Sequence, residues 1–264
     1  MEPYNFKSHI EPLFAHKNDD TLTSVENEKL SRIGIFIINV KKSTLRRETI
    51  TKWVESLGLH TFIFNAVDGS QMKIHDCGFN PLVKVIECPV GNYFLLDYTR
   101  HFDHNVRGEL GTGMIGDAMS HQLLYNALQF QTDFDHFLIM EDDASMLQSP
   151  ETIRKYLANL PEQFDLAFLN SESKWYPLEL TDPINEYYSN IKRNFLNGPV
   201  SYVVSKQGAA KLLAYTRNDV TRPPDDLVSN PHVLGLYTII ASNTFLFSCD
   251  YSFESDTARF STNL

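Results

Sequence analysis

The run His136-Phe137-Leu138-Ile139-Met140 passes without a spacer into Glu141, Asp142 and Asp143. A short, nearly continuous apolar run suits a parallel strand buried on both faces. The carboxyl end of such a strand is where open α/β sheets gather ligand-binding groups. Three adjacent carboxylates at that point repel one another, and a cation relieves the repulsion. Their oxygens suit a hard divalent ion, which keeps its remaining positions for substrate phosphates. The plainer alternative is a solvated acidic turn ahead of the next helix, which accounts for one or two of the acids.

Composition removes several functions. The chain has 264 residues, 42% of them hydrophobic, enough for one domain with a sizeable core. Its formal charge is −10, from 23 Lys and Arg against 33 Asp and Glu, so it repels nucleic acid at long range. A small phosphorylated ligand bridged by a metal remains compatible with that charge. Cys77, Cys88 and Cys249 are odd in number and form no C-x-x-C pair, which argues against a disulfide framework and a structural zinc site. The opening MEPYNFKSHIEPLFAHKNDD lacks the basic start and apolar core of a secretory signal, and no apolar run approaches the ~20 residues of a membrane span. The expected location is cytoplasmic.

Periodicity outlines an α/β domain over residues 31–264, behind a polar N-terminal extension at 1–30. Ile33 to Val40 reads as a buried strand. Ser43 then caps a helix carrying Leu45, Ile50, Trp53, Val54 and Leu57, and Thr61 to Val67 forms a second strand ending at Asp68-Gly69, which completes a βαβ unit. Residues 71–107 read as an irregular excursion or lid. A glycine-rich stretch from Gly108 to Gly116 leads into a helix over 115–130 and then into the acidic strand. Ser149 and Pro150 open another helix, Asp165 to Leu169 is a strand, Tyr202 to Ser205 is β-like, and Gln207 to Tyr215 is helical. The segment Thr221-Arg222-Pro223-Pro224-Asp225-Asp226 is expected to present two acids on a loop, since each proline biases its predecessor toward extended geometry.

Two chemistries that use strand-end acids fit poorly. A phosphatase that forms an acyl phosphate needs aspartate first, where this chain has Glu141. A receiver domain needs a phospho-accepting aspartate at a following strand end, where this chain has Asn170. Six segments instead resemble glycosyltransferase family 25, the lipooligosaccharide-type and collagen-type sugar transferases. They are Ile37-Ile38-Asn39-Val40 with Ser43 and Arg46-Arg47, then Ala66-Val67-Asp68-Gly69, then Gly113 through His121. Glu141-Asp142-Asp143, Gly198 through Leu213 and Pro224-Asp225-Asp226 follow in the family's order. The departures are Met114, where the family usually has Glu, and Asp117, where it usually has Cys.

The resemblance implies a GT-A-like nucleotide-sugar-binding fold, expected here with a mostly parallel central sheet flanked by helices. It also implies a UDP-hexose donor, galactose before glucose, Mn²⁺ or Mg²⁺, a lipooligosaccharide or other glycan acceptor, and inversion at the anomeric carbon. Asp143 with either Glu141 or Asp142 is then the expected metal-ligand pair, and strand alternation favours Glu141 and Asp143 on one side. Asn39, Ser43, Arg46, Arg47, Asp68 and Asp142 are the expected nucleotide-sugar contacts. For Arg46 and Arg47 a solvated helix face is the competing reading. Asp226, with Asp225 as alternate, is the expected general base; the competing role for both is to cap the helix that Leu227 and Val228 suggest. His121 is expected to be buried and structural, Tyr202 to line the pocket or fill core, and Gly208, Ala209 and Ala210 to permit close helix packing. His75, His101, His104 and His232 read as ordinary loop residues. A sugar-binding relative without catalysis is the alternative function.

Overall fold

The computed structural model describes residues 5–76, 78, 83–87, 93–97, 112–130, 132–170, 178–193, 196, 200–216, 220, 223–250 and 252–253. The expected elements at Gly108 to Gly111, at Thr221-Arg222 and at Gly198, together with Cys77, Cys88, His101 and His104, lie outside the described residues.

The chain enters through β1 (Ile10–Phe14) and α1 (Ser24–Ser31), then builds the βαβ unit from β2 (Ile33–Asn39), α2 (Thr44–Val54) and β3 (His60–Asn65). Next come β4 (Lys73–Asp76), β5 (Val83–Glu87), β6 (Tyr93–Asp97), α3 (Thr112–Phe130) and the acidic strand β7 (His136–Glu141). The remainder is β8 (Ala144–Met146), α4 (Pro150–Ala158), β9 (Leu166–Phe168), β10 (Leu180–Pro183), β11 (Tyr188–Ile191), β12 (Ser201–Ser205), α5 (Lys206–Thr216), α6 (Pro224–Val233), β13 (Ile239–Ser242) and β14 (Phe247–Cys249).

One nine-stranded sheet, in the order β1-β3-β2-β7-β12-β9-β13-β11-β10, organises the molecule. Every residue of β2 is buried, as an apolar run on a central strand requires. Its side chains alternate between two cores. Phe36 and Ile38 join Phe64, Phe137, Ile139 and the α3 side chains on one face, while Ile35 and Ile37 join Leu138, Met140, Ile50 of α2 and Ile153 of α4 on the other. Each large aliphatic or aromatic side chain so enclosed contributes about 1.5–3 kcal/mol of transfer free energy.

The sheet is mixed, which corrects the mostly parallel expectation. β2 pairs parallel with β3 and β7, and β9 with β13, but β12 lies antiparallel between β7 and β9. The described chain between β9 and β12 carries β10 and β11 and no crossover helix, so β12 re-enters from the opposite end. The edges are antiparallel as well, with β1 on β3 and β10 on β11. Residues 10–31 thus supply an edge strand and a helix whose start is fixed by a capping box between Thr23 and Glu26.

Two further expectations change. Residues 71–107 contain a three-stranded antiparallel sheet, β4-β5-β6, and Ile86 and Phe94 from it are buried in the main core. The proline-rich segment does not stay a loop, because Pro223 is the N-cap and Pro224 the first residue of α6. Proline is tolerated there since its missing N–H has no intrahelical partner to lose. Asp225 and Asp226 therefore sit in the first turn of a helix, where their charges favour the helix dipole.

Candidate active site at the carboxyl end of the sheet

β2, β3 and β7 run parallel and finish side by side, so Asn39, the Ala66–Gly69 turn and the three acids meet at one rim of the sheet. α3 closes that rim by unusually close backbone approach. A Cβ on Gly69 would collide with the Thr112 carbonyl, and one on Gly116 would come within 2.5 Å of the Val67 carbonyl oxygen. Ser120 then fastens the contact, its Oγ accepting from the Val67 N–H at 2.9 Å and donating to the Gly116 carbonyl at 2.8 Å. Small residues and one hydroxyl thus seat the first turns of α3 on the turn that carries Asp68.

The resulting cleft is lined by Ile38, Val40, Ala66, Val67, Gly69 and Gly113, and by Asp68, Asp117, Glu141, Asp142 and Asp143 against the cations Lys42 and Arg46. The three strand-end acids have different surroundings. Asp142 is buried, its Oδ1 accepting from Arg46 Nη1 at 2.8 Å and its Oδ2 from Asn39 Nδ2 at 2.7 Å. Asn39 Nδ2 also donates to the Ser43 carbonyl at 3.1 Å, which ties the start of α2 to the acid turn. Asp143 lies 3.7 Å from the same Arg46 nitrogen, and its buried Oδ1 makes no hydrogen bond. Burial, and then the charge of Asp142, push its carboxyl up to about 6 despite the opposing guanidinium. Glu141 is held well above the usual carboxylate range, first by burial and then by Asp117, Asp143, Asp225 and Asp142.

That last set shows that Asp225, at the start of α6, is near enough for its charge to bear on Glu141. Asp68 has different company. Burial raises its pKa, but hydrogen bonds from Ser70 and the Lys42 ammonium at 3.3 Å hold it below the ordinary value. Arg47 points elsewhere and pairs with Glu11 of β1, and it does not line the cleft. Ser43 is the N-cap of α2 without a side-chain capping bond, and it too lies outside the lining. Of the residues expected to contact a nucleotide sugar, Arg46, Asp68 and Asp142 reach the cleft wall, while Asn39 stands behind Asp142 and holds it.

Three further residues named from the sequence lie in the interior. His121 is fully buried with Nδ1 2.6 Å from the Tyr202 hydroxyl, and Tyr202 sits in the core with its hydroxyl 2.6 Å from that of Tyr125. Gly208 gives close packing, because a Cβ there would collide with the Asp165 carbonyl. Sequence reasoning missed Lys42 and Asp117 as cleft residues. The signal for Asp117 was its i, i+4 spacing from His121 on a helix leading into the acidic strand.

Known proteins resemble this chain over the segment that carries the cleft. The model of glycosyltransferase family 25, described as an LPS biosynthesis protein family, matches residues 32–228, which is most of the chain. The chain belongs to glycosyltransferase family 25. A Drosophila melanogaster protein named glycosyltransferase 25 family member is 27% identical over 208 residues, covering 77% of this chain and 31% of that protein. An Anopheles gambiae protein of the same name is 26% identical over 73% of this chain and 30% of its own length. The chain thus spans about a third of these insect relatives. The lipooligosaccharide biosynthesis protein lex-1 of Haemophilus influenzae is 26% identical over 76% of this chain and 68% of its own length. The matched span runs from the start of β2 into α6 and contains every cleft-lining residue, so the family segment and the cleft coincide.

Proposed function

We propose that the chain transfers a hexose, galactose in preference to glucose, from a UDP-sugar to a lipooligosaccharide or other surface glycan, with inversion at the anomeric carbon. The observation that carries this reading is the charge imbalance of the cleft: five carboxylates face two cations at the carboxyl ends of parallel strands. A diphosphate cannot enter such a cleft without a divalent cation to bridge it. The donor set fits one, since Glu141 and Asp143 offer oxygen ligands and the Asp143 Oδ1 has no hydrogen bond to give up. Mn²⁺ or Mg²⁺ held there would act as a Lewis acid toward the charge developing on the departing UDP.

The protein's own groups divide the remaining work. Arg46 and Asn39 clamp both oxygens of Asp142, so that acid orients the turn and keeps its neighbours aimed into the cleft. Asp68, kept ionised by Ser70 and Lys42, accepts hydrogen bonds from the nucleoside. Asp226, with Asp225 as alternate, takes the proton from the acceptor hydroxyl on the face opposite UDP. No helix among the described residues is long and apolar enough to cross a membrane. The working location proposed is the cytoplasmic face of the inner membrane, where a surface-glycan acceptor is reached by transient contact.

Calorimetric titration with UDP, with and without Mn²⁺, followed by a panel of UDP-hexoses scored for Mn²⁺-dependent hydrolysis, tests this reading. Metal-dependent UDP binding and turnover of one donor are expected. UDP binding indifferent to divalent ions would overturn the metal assignment, and tight binding without hydrolysis or transfer would favour a sugar-binding relative.

A further inference from the structure

We infer that Asp117, His121 and Glu141 form a mixed nitrogen and oxygen ligand set that holds a transition-metal ion in preference to Mg²⁺. The inference rests on the reading that a divalent ion works in this cleft, and it names a position and a selectivity that Glu141 and Asp143 alone do not provide. One ligand atom from each of the three residues lies within 4.8 Å of the others. Ion-to-ligand bonds of about 2.1 Å put bound atoms roughly 3–4 Å apart, so closure asks at most about 1 Å of side-chain movement. Asp117 and His121 are one helical turn apart on α3, which the Gly69–Gly116 contact and Ser120 fix against the sheet, and Glu141 is the last residue of β7.

The independent observation is the His121 ring. It is completely buried, yet its Nε2 makes no hydrogen bond and faces Asp117 Oδ1 at 3.5 Å. A protonated Nε2 would be expected to close on that oxygen at about 2.9 Å. The other tautomer explains the geometry. Nδ1–H donates to the Tyr202 oxygen at 2.6 Å, Tyr202 is held in turn by Tyr125, and the Nε2 lone pair is left facing Asp117 Oδ1. A hydrogen bond on the far ring nitrogen is how metal-bound imidazoles are oriented. Two carboxylates alone would suit Mg²⁺, whereas an imidazole nitrogen shifts preference toward Mn²⁺, Co²⁺ or Zn²⁺.

The test uses the full chain, stripped of metal by chelation and titrated with Co²⁺ as a spectroscopic probe, with and without UDP and in competition with Mg²⁺. Expected are Co²⁺ binding that excess Mg²⁺ does not displace, a loss of about tenfold or more in affinity in Asp117→Asn and His121→Gln, and retained circular dichroism. Should His121→Gln fail to fold, Asp117→Cys decides the question, because a thiolate in the ligand set gives a thiolate-to-cobalt charge-transfer band. Cobalt bound to Asp117→Cys without that band overturns the inference, as does unchanged Co²⁺ affinity in Asp117→Asn. If affinity is instead lost only in Asp143→Asn, the ion sits on the strand-end acids alone and the proposed function stands without this ligand set. If the wild-type chain binds neither Co²⁺ nor Mn²⁺ even with UDP, both readings fall.

Discussion

The two ends of β7 both carry charge, and they treat it in opposite ways. At the entry, the Asp135 carboxylate is gripped by Arg32 through Nε and through Nη2 at 2.9 Å, and its backbone N–H donates to the Arg32 carbonyl at 2.9 Å. His136 beside it stacks on Phe164 with ring centroids 5.3 Å apart. At the exit, Glu141 and Asp143 are surrounded by other carboxylates, and Asp143 and the nearby His121 each keep a buried polar atom without a hydrogen bond. A buried group left unsatisfied costs about 1–3 kcal/mol. The entry charge is met by the protein itself, whereas the unmet atoms at the exit lie where the proposed ion would bind.

The largest expected effect breaks the exit end directly. Asp143→Asn should lower transfer by about a hundredfold or more, as removal of several kcal/mol of transition-state charge stabilisation implies. It should not lower the melting temperature in EDTA, because the substitution removes one of several mutually repelling charges. Turnover assays and calorimetry check the two halves together. Full activity in EDTA would make the exit end an ordinary acidic turn.

Next in size is the base. Asp226→Asn or Asp225→Asn should slow kcat by roughly 10²–10⁴ with UDP affinity retained, as expected when only proton transfer is lost. The competing role, support of the α6 start, predicts the reverse: lower stability and modest kinetic change. Proton NMR of the product supplies a separate check, since a β-linked product from an α-linked donor is required and an α-linked one would refute both inversion and this role.

What could be read in advance follows from the range of the forces involved. β2, β7, α2 and α4 were legible because apolar runs and caps such as Ser149, whose Oγ accepts from the Thr152 N–H at 3.3 Å, are local signals. The strand-end acids were legible as a cluster for the same reason. The direction of β12 was not, since the choice between parallel and antiparallel entry rests on how a long connection returns, and no residue of Ser201–Ser205 encodes it. Nor was the division of labour among the acids. That Asp142 is clamped by Arg46 and Asn39 while Asp143 is left short of partners depends on residues about a hundred positions apart meeting at one rim. The proline segment enters a helix where the bias on residues before proline suggests a loop, because at Pro223 and Pro224 the preference of proline for a helix start governs.

A third experiment sharpens the contrast by converting the satisfied acid at the exit into an unsatisfied one. Arg46 and Asp142 form a buried pair, with side-chain exposures of 10% and 8%. Arg46→Met should cost about 3 kcal/mol of stability, the usual consequence of stranding one member of such a pair. Arg46→Met with Asp142→Leu should recover much of that loss, since two apolar groups leave no buried charge behind. Denaturant melts of the single and double variants give the comparison, and a double variant no more stable than the single would mean that the cost lies in lost packing.

The smallest effect belongs to the entry end, and its sign separates the two ends most cleanly. Hydrogen bonds from Arg32 hold the Asp135 carboxyl below its ordinary range, with partial burial opposing them. A carboxylate depressed by folding contributes stability above its unfolded pKa and loses it as pH falls through the folded value. Arg32→Ala should therefore melt slightly below wild type at neutral pH, the gap closing as pH drops below about 4, where Asp135 becomes protonated in the unfolded chain. The pair is solvent-exposed on the Arg32 side, so the gap is small. His136, whose pKa burial pushes down, is lowered further by the Arg32 charge, so its titration also narrows the gap once pH falls below its ordinary value. Transfer activity should be unchanged, because this end of β7 lies a full strand away from the cleft. Thermal melts from neutral pH to pH 3 with parallel activity assays decide the matter: a gap that persists undiminished into acid would mean that Arg32 stabilises by packing, and a fall in activity would mean that the two ends of the strand are coupled.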